Sequence, residues 1–143
     1  MLLREILFGT EDYQRERRLR EEVLRGPLGL SLRDEDLAGE ENQWHFGLFE
    51  PGGELLACVL AVPVAPTEAR IRQMAVSPAH QAKGLGRSLL REVEGKLRAR
   101  GICRVELSAR TSATGFYEKL GYGAVGGEYV SHTIPHVRMV KDL

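Results

Sequence analysis

"VSPAHQAKGLGRSLL", residues 76–90, is the stretch on which the reading of the fold turns. It runs from the apolar end of a strand, "ARIRQMAV" (69–76), through a Gly-x-Gly turn into an amphipathic run. Leu89, Leu90, Val93 and Leu97 share one helical face, Arg91, Glu92, Lys96 and Arg98 lie elsewhere, and Gly101 supplies a stop. The start of a helix leaves four backbone N–H groups without intrahelical partners and presents the positive end of its dipole. Gly84 and Gly86 let a large anion reach that backbone without meeting a Cβ. Lys83 and Arg87 add charge, and Gln81 and Ser88 add donors. Such a turn suits a phosphate group. Gly-rich turns between strand and helix also arise for steric reasons, so the turn alone leaves both readings open. A P-loop is excluded, because no glycine precedes Gly84 at the required spacing and Lys83 lies before the glycines. A dinucleotide fingerprint is excluded because its third glycine position is Leu89.

Outward from this stretch, the chain reads as one mixed α/β domain over residues 1–143. "EILF" (5–8) is a short strand, and Thr10 is an N-cap followed by Glu11 and Asp12 in a first helical turn. The charged run that follows is stopped by Gly26-Pro27. Residues 28–41 show no sustained period and read as a loop or short helix. "WHFGLF" (44–49), "EPGGE" and "LLACVLAVP" (55–63) give a hairpin, whose second strand is apolar enough to be buried on both faces. Beyond the central helix, "ICRVELSA" (102–109) alternates as a strand. Ala113, Phe116, Tyr117 and Leu120 follow a short helical period closed by Gly121. "YGAVGG" (122–127) and "HVRMVK" (136–141) are weaker strand signals.

Twenty basic and twenty acidic side chains cancel, so no global field points to nucleic acid or to a membrane surface. Cys58 and Cys103 each lie in an apolar run and read as buried, reduced thiols. The N-terminal residues lack the apolar length of a membrane span and the pattern of a signal peptide, which leads us to expect a soluble, cytoplasmic protein.

Gln81 to Gly86 forms Q-x-x-G-x-G, and "ATGFYEKLGY" (113–122) follows after one helix and one strand. Together they resemble the GNAT superfamily of N-acetyltransferases, which combines a [QR]-x-x-G-x-[GA] coenzyme A loop with a downstream A-x-x-F-Y-x-x-x-G-[FY] segment. The order of strands and helices matches over most of the chain. The resemblance implies a central, mostly antiparallel sheet of six or seven strands, splayed in the middle and flanked by about four helices. It also implies acetyl-CoA as co-substrate, with no metal. The backbone of Met74, Ala75 and Val76 would meet the pantetheine arm, and the amides of Gln81, Ala82, Lys83, Gly84, Leu85, Gly86, Arg87 and Ser88 would hold the pyrophosphate. Phe116 belongs to the second coenzyme-binding segment. Where the family often has an asparagine seven residues before its tyrosine, this chain has Arg110, so either Arg110 or Ser112 takes over that contact or it is absent.

Tyr117 matches the tyrosine that lies near the thioester sulfur, where a phenol of pKa about 10 can donate a proton to a departing thiolate. The alternative is a core tyrosine sharing a face with Phe116 and Leu120. The general base is not identified. No carboxylate occurs from Arg70 to Lys83, Glu106 on the next strand is one candidate, and His132 and His136, flanking Pro135, are others. Asp34, Glu35 and Asp36 either attract a cationic amine or form a solvated loop, and Trp44 and Phe46 line the cleft or fill the core. Neither cysteine sits in a nucleophile's setting, so transfer to the amine would be direct. Two other readings stand beside an N-acetyltransferase: a non-catalytic acyl-CoA-binding module, and a phosphate-ligand or interaction protein with a coincidental turn. A homodimer through the terminal strands fits the family, and the acceptor amine stays unnamed.

Overall fold

Seven consecutive buried residues, Leu55 to Ala61, make β3 (Leu55–Ala65) the axis of the fold, as its unbroken apolar run requires. The computed structural model describes the backbone of residues 1–143 and all side chains except those of Asp34 and Glu35, so the expectation for those two acids lies outside the described residues. Antiparallel to β3 on its two sides run β2 (Trp44–Phe49) and β4 (Glu68–Val76). With β1 (Leu2–Ile6), β5 (Arg104–Arg110), β6 (Gly123–Ser131) and β7 (Ile134–Asp142) they form one seven-stranded sheet, ordered β1-β2-β3-β4-β5-β7-β6. Only β4 and β5 pair in parallel. A parallel pair needs a crossover connection, which is supplied here by α3 (Leu85–Ala99).

The two faces of the sheet are covered differently. On one, α3 buries Leu85, Leu89, Leu90, Val93 and Leu97 against Leu56, Ile71, Val105 and Met139. Each such side chain contributes on the order of 1.5–3 kcal/mol on leaving water. On the other, α1 (Glu11–Arg20) packs Tyr13 and Leu19 on Phe49, Cys58 and Ala75. Thr10 caps α1 as its sequence predicts, accepting from the Tyr13 N–H at 3.3 Å. The helix then widens into a π-type turn over Glu21–Arg25 before Gly26-Pro27. Two short helices complete the chain, α2 (Asp34–Leu37) and α4 (Thr114–Glu118).

Two local expectations change, and one open alternative is decided. The first strand begins at Leu2 and ends at Ile6, because Leu7 and Phe8 turn outward and are exposed. Cys58 is fully buried, but Cys103 precedes β5 and is exposed, so the apolar run around it does not bury its thiol. Phe46 fills the core, while Trp44 is half-buried beneath the Arg100 guanidinium, 4.8 Å from the ring centroid. Among the described residues, no helix is long and apolar enough to cross a membrane.

Candidate active site

Adjacent strands of one sheet part company here. β4 and β5 pair from Glu68–Ile71 against Arg104–Leu107 and then separate, leaving Arg72–Val76 without a neighbour on that side. A bulge on the other edge of β4 drives the separation: the register with β3 slips between Arg72 and Ala75, where Gln73 takes a φ of +56°. An extra residue in one strand bends it and raises its twist. Positive φ in a non-glycine residue also stores strain that surrounding contacts must hold. The result is a cavity of about 380 Å³ between the strands. Met74, Tyr117, Arg25, His132 and His136 are among the residues that line it.

The turn follows the end of β4. Gln81 donates from Nε2 to the Val76 carbonyl at 3.1 Å, tying the loop to the strand. Ala82 and Gly84 adopt left-handed φ values of +62° and +78°, so the Gly84 conformation is one that a side chain would strain. The first N–H of α3 to find a backbone carbonyl is that of Ser88, onto Gly84 at 3.1 Å, and earlier amides face outward from the helix start. Lys83 and Arg87 are exposed beside them. A Cβ added to Gly86 would come 3.5 Å from Phe116 Cζ, 3.6 Å from Val76 Cγ2 and 3.8 Å from Met74 Cε. The protein itself would tolerate an alanine there. The bare Gly86 keeps open a groove walled by Phe116, Val76 and Met74, which suits a slender ligand arm leading from the turn to the strand gap.

Across that groove, α4 carries Phe116 and Tyr117 edge-to-face, with ring centroids 5.0 Å apart. Tyr117 also meets Tyr122 at 5.9 Å, and its hydroxyl makes no hydrogen bond among the described residues. Burial pushes the Tyr117 phenol up to about 12, against a smaller opposing pull from the Arg110 cation. It therefore stays protonated at neutral pH. Ser112 sits in the turn between β5 and α4, outside the cavity wall.

The strand alternation of β5 places Glu106, Ser108 and Arg110 on one face, about 13 Å from first to last. Glu106 lies where β4 and β5 are still paired, opposite Arg70. Its carboxylate accepts from Arg138 and from Arg70 Nε (2.9 Å), and those bonds hold its pKa below the ordinary range despite partial burial. The structure thus takes Glu106 out of the cavity wall. Arg110 and Ser108 do line it. His136 pairs directly with Arg110 across β5–β7. Its Nδ1 donates to the Ile134 carbonyl at 2.7 Å, which leaves the lone pair on Nε2. His132 comes from the β6–β7 turn, where it and Thr133 have φ values of +53° and +65°. Asp36 is buried and committed: it accepts from Arg25 Nη2 and the Arg33 N–H, each at 2.9 Å, and Arg25 lowers its pKa despite desolvation. It is unavailable to a cationic amine.

Behind the bulge lies a polar cluster that sequence reading missed. Glu16, Arg20 and Glu40 are completely buried, and His45 nearly so. Arg20 grips Glu40 with both Nη atoms (2.9 and 2.5 Å), reaches Glu16 at 3.3 Å and donates from Nε to Gln73 Oε1 at 3.1 Å. Tyr13 donates to Glu40 at 2.7 Å, and Arg72 donates to Glu40, Gln43 and the Asp36 carbonyl. His45 faces the Glu16 carboxylate through Nδ1 and the Glu40 carbonyl through Nε2 (2.8 Å). Both partners only accept, so both ring nitrogens carry protons. Burial opposes that charge, but Glu16 and the Glu40 carbonyl outweigh it and raise the His45 pKa. Ligand atoms of Glu16, Glu40 and His45 lie within 4.8 Å of one another, as a metal site would need, yet the Arg20 guanidinium supplies the cation. Through Arg20 Nε the cluster is bonded to Gln73, and so to the bulge. Its sequence signal is only a set of charges at irregular spacing, drawn from α1, the segment after α2, and β2.

Known proteins share this fold. The profile described as acetyltransferase (GNAT) domain matches residues 35–143. The chain belongs to this family. BSU40680 of Bacillus subtilis (strain 168), provisionally named an acetyltransferase, is 33% identical over 95 residues, 62% of this chain and 65% of that protein. The curated relatives it matches align over roughly half to two thirds of their own length. A Lactobacillus plantarum protein provisionally titled an N-acetyltransferase superposes with a TM-score of 0.87 at 25% identity, covering 100% of this chain and 99% of that one. An aminoglycoside 6'-N-acetyltransferase complexed with coenzyme A shares the fold, with a TM-score of 0.78 at 18% identity over 99% and 97% of the two chains.

Proposed function

We propose that the protein transfers an acetyl group from acetyl-CoA directly to a primary amine. The observation that carries this is the continuity of three features: the Gln81–Ser88 amides, the groove over Gly86, and the strand gap ending at Tyr117. Acetyl-CoA supplies the acyl group as a thioester. The amides of Gln81 to Ser88, with Lys83 and Arg87, hold its pyrophosphate. The unpaired edge of Met74, Ala75 and Val76 offers the pantetheine arm the backbone groups that β5 no longer uses. Phe116 walls that arm, and the N–H groups at the bulge face the charge that builds on the carbonyl oxygen.

In the chemical step the amine nitrogen bonds to the acetyl carbon and the carbon–sulfur bond breaks. His136 Nε2 takes the proton from nitrogen, and the Tyr117 hydroxyl gives one to the departing sulfur. His136 is preferred to Glu106 as base because it lines the cavity with a free lone pair, whereas two arginines hold Glu106 outside it. Direct transfer is supported by the cysteines: Cys58 is sealed in the core with its pKa raised by burial, and Cys103 lies outside the cavity.

Thermal unfolding with acetyl-CoA, coenzyme A, ATP and NAD tests the binding half. A ligand at about a hundred times its dissociation constant adds about 2.7 kcal/mol and raises the midpoint by several degrees. A rise with the two coenzyme A forms alone is expected, and an equal rise with ATP would overturn the loop assignment. Thiol release across an amine panel tests the chemistry. Coenzyme binding without any acetylated product would favour a non-catalytic acyl-CoA-binding module.

A further inference from the structure

The cavity has a strong charge bias. Arg25, Arg70, Arg72 and Arg110 line it together with His132 and His136, and no carboxylate does so among the described residues. Some of this charge is already answered: Arg25 by Asp36, Arg72 by Glu40, and Arg70 by Glu106, which it shares with Arg138. Arg110 forms no ion pair among the described residues. It is half-buried, close enough to Tyr117 to pull on its proton, and directly opposite His136 in the sheet. Arg25 adds a second unsatisfied feature. Its side chain is 7% exposed, its Nε has no hydrogen-bond partner, and it lines both this cavity and an adjoining one of about 200 Å³.

The Arg110 charge, unpaired among the described residues, disfavours a bare ammonium ion beside it, and a neutral amine alone would leave it unanswered. We propose that the acceptor is a small amino acid-like molecule, a primary amine carrying a carboxylate one or two carbons away. Arg110 receives the carboxylate, and the buried Arg25, whose Nε has no partner among the described residues, lines the same cavity. This rests on the acetyl-transfer reading and names the substrate class of the same site. Directly paired residues on neighbouring antiparallel strands have Cα atoms about 4.5–5.5 Å apart. Arg110 and His136 can therefore engage adjacent groups of one small molecule, its carboxylate and its amine. A guanidinium fork suits this task because it binds both carboxylate oxygens at once. The cationic wall also disfavours the ammonium form of the acceptor, leaving more of it as the neutral nucleophile. A cavity of 380 Å³ that must also admit the thioester end suits a molecule of amino acid size rather than a bulky chain.

The test compares kcat/KM by thiol release for matched probes: L-phenylalanine, L-phenylalaninamide and phenethylamine, then glycine against glycinamide, and the dipeptide glycyl-L-phenylalanine. The amide's ammonium is the more acidic, so a preference for the free acid runs against intrinsic amine availability. The free amino acids are expected to exceed their amides and the decarboxylated amine by at least about tenfold. The dipeptide, whose carboxylate is distant from its amine, should behave like the amides. Arg110→Gln should collapse the ratio towards one, chiefly through KM, and Arg110→Lys should keep part of it. Calorimetric titration with acetyl-CoA and the thermal midpoint show whether each variant is folded and still binds coenzyme. If amides or phenethylamine are acetylated as well as the free acids, or if Arg110→Gln lowers every probe alike, the carboxylate assignment falls and the acetyl-transfer reading stands. If acetyl-CoA binds but no probe is acetylated, the carboxylate assignment falls. If acetyl-CoA does not bind, both fall.

Discussion

The Gln81–Ser88 turn and the Glu16–Arg20–Glu40–His45 cluster are both polar, both meet β4, and are built on opposite plans. The turn is contiguous in sequence and open to solvent: its amides point outward, and Lys83 and Arg87 are exposed. The cluster gathers side chains from three separate stretches, is sealed from water, and has its charges engaged by one another. Polar groups left open await a ligand. Those already paired in the interior hold shape, here the Gln73 bulge that opens the strand gap. Removing a group from the cluster should therefore damage the fold, whereas removing one from the turn should damage binding alone.

The largest effect is expected from Arg20→Met, which leaves Glu16 and Glu40 buried without their shared counter-ion. Losing one partner of a buried pair costs about 3–5 kcal/mol, so urea unfolding should show a much lower midpoint. An unchanged midpoint would mean that the cluster does not hold the fold. Tyr117→Phe comes next. Loss of a proton donor at the sulfur should lower kcat by about a hundredfold or more, with acetyl-CoA affinity nearly intact by calorimetry. An unaltered kcat would remove the donor role.

Stability against pH probes the cluster without mutation. The Glu40 pKa is lowered by Arg20, Tyr13 and Arg72 despite desolvation, so its contribution holds above the ordinary carboxylate value of 4.5 and fades as pH falls through the lowered one. His45 has its pKa raised, so its contribution is full below the ordinary imidazole value of 6.5 and fades as pH rises through the raised one. Equilibrium unfolding should thus place the cluster's largest contribution between these two values, and His45→Gln should flatten the alkaline limb. No change in that limb would show that His45 is neutral in the fold.

Gly86→Ala separates the two regions most directly. Its Cβ meets only ordinary contacts, so stability should stay within about 1 kcal/mol, while acetyl-CoA affinity falls about tenfold because the groove is filled. Equal binding would place the coenzyme arm elsewhere. The smallest effect is expected from Glu106→Gln. An ion pair near the surface is worth less than about 1 kcal/mol, and turnover should change by less than about twofold. A large fall in turnover at constant stability would restore Glu106 as the base.

What could be read in advance follows the same division. The β3 core, the α3 face and the Thr10 cap rest on short-range periodicity, and the turn and the α4 segment rest on contiguous motifs. The position of Glu106 could not be read so, because whether a strand carboxylate is free depends on Arg138, a residue 32 positions away. Nor could the fate of Asp36, which Arg25 holds across 11 residues of irregular chain.

The sequence by itself determined the elements, their order and the Gly-rich turn at the start of α3, since hydrophobic period, capping and glycine placement act over a few residues. The tertiary structure alone decided which charges are spent and which are available. Coulomb and desolvation energies depend on distance and burial, and these exist only after β4 bulges, β5 parts from it and Arg20 closes on Glu40. Arg110, which has no ion pair among the described residues, owes its place in the cavity wall to that arrangement.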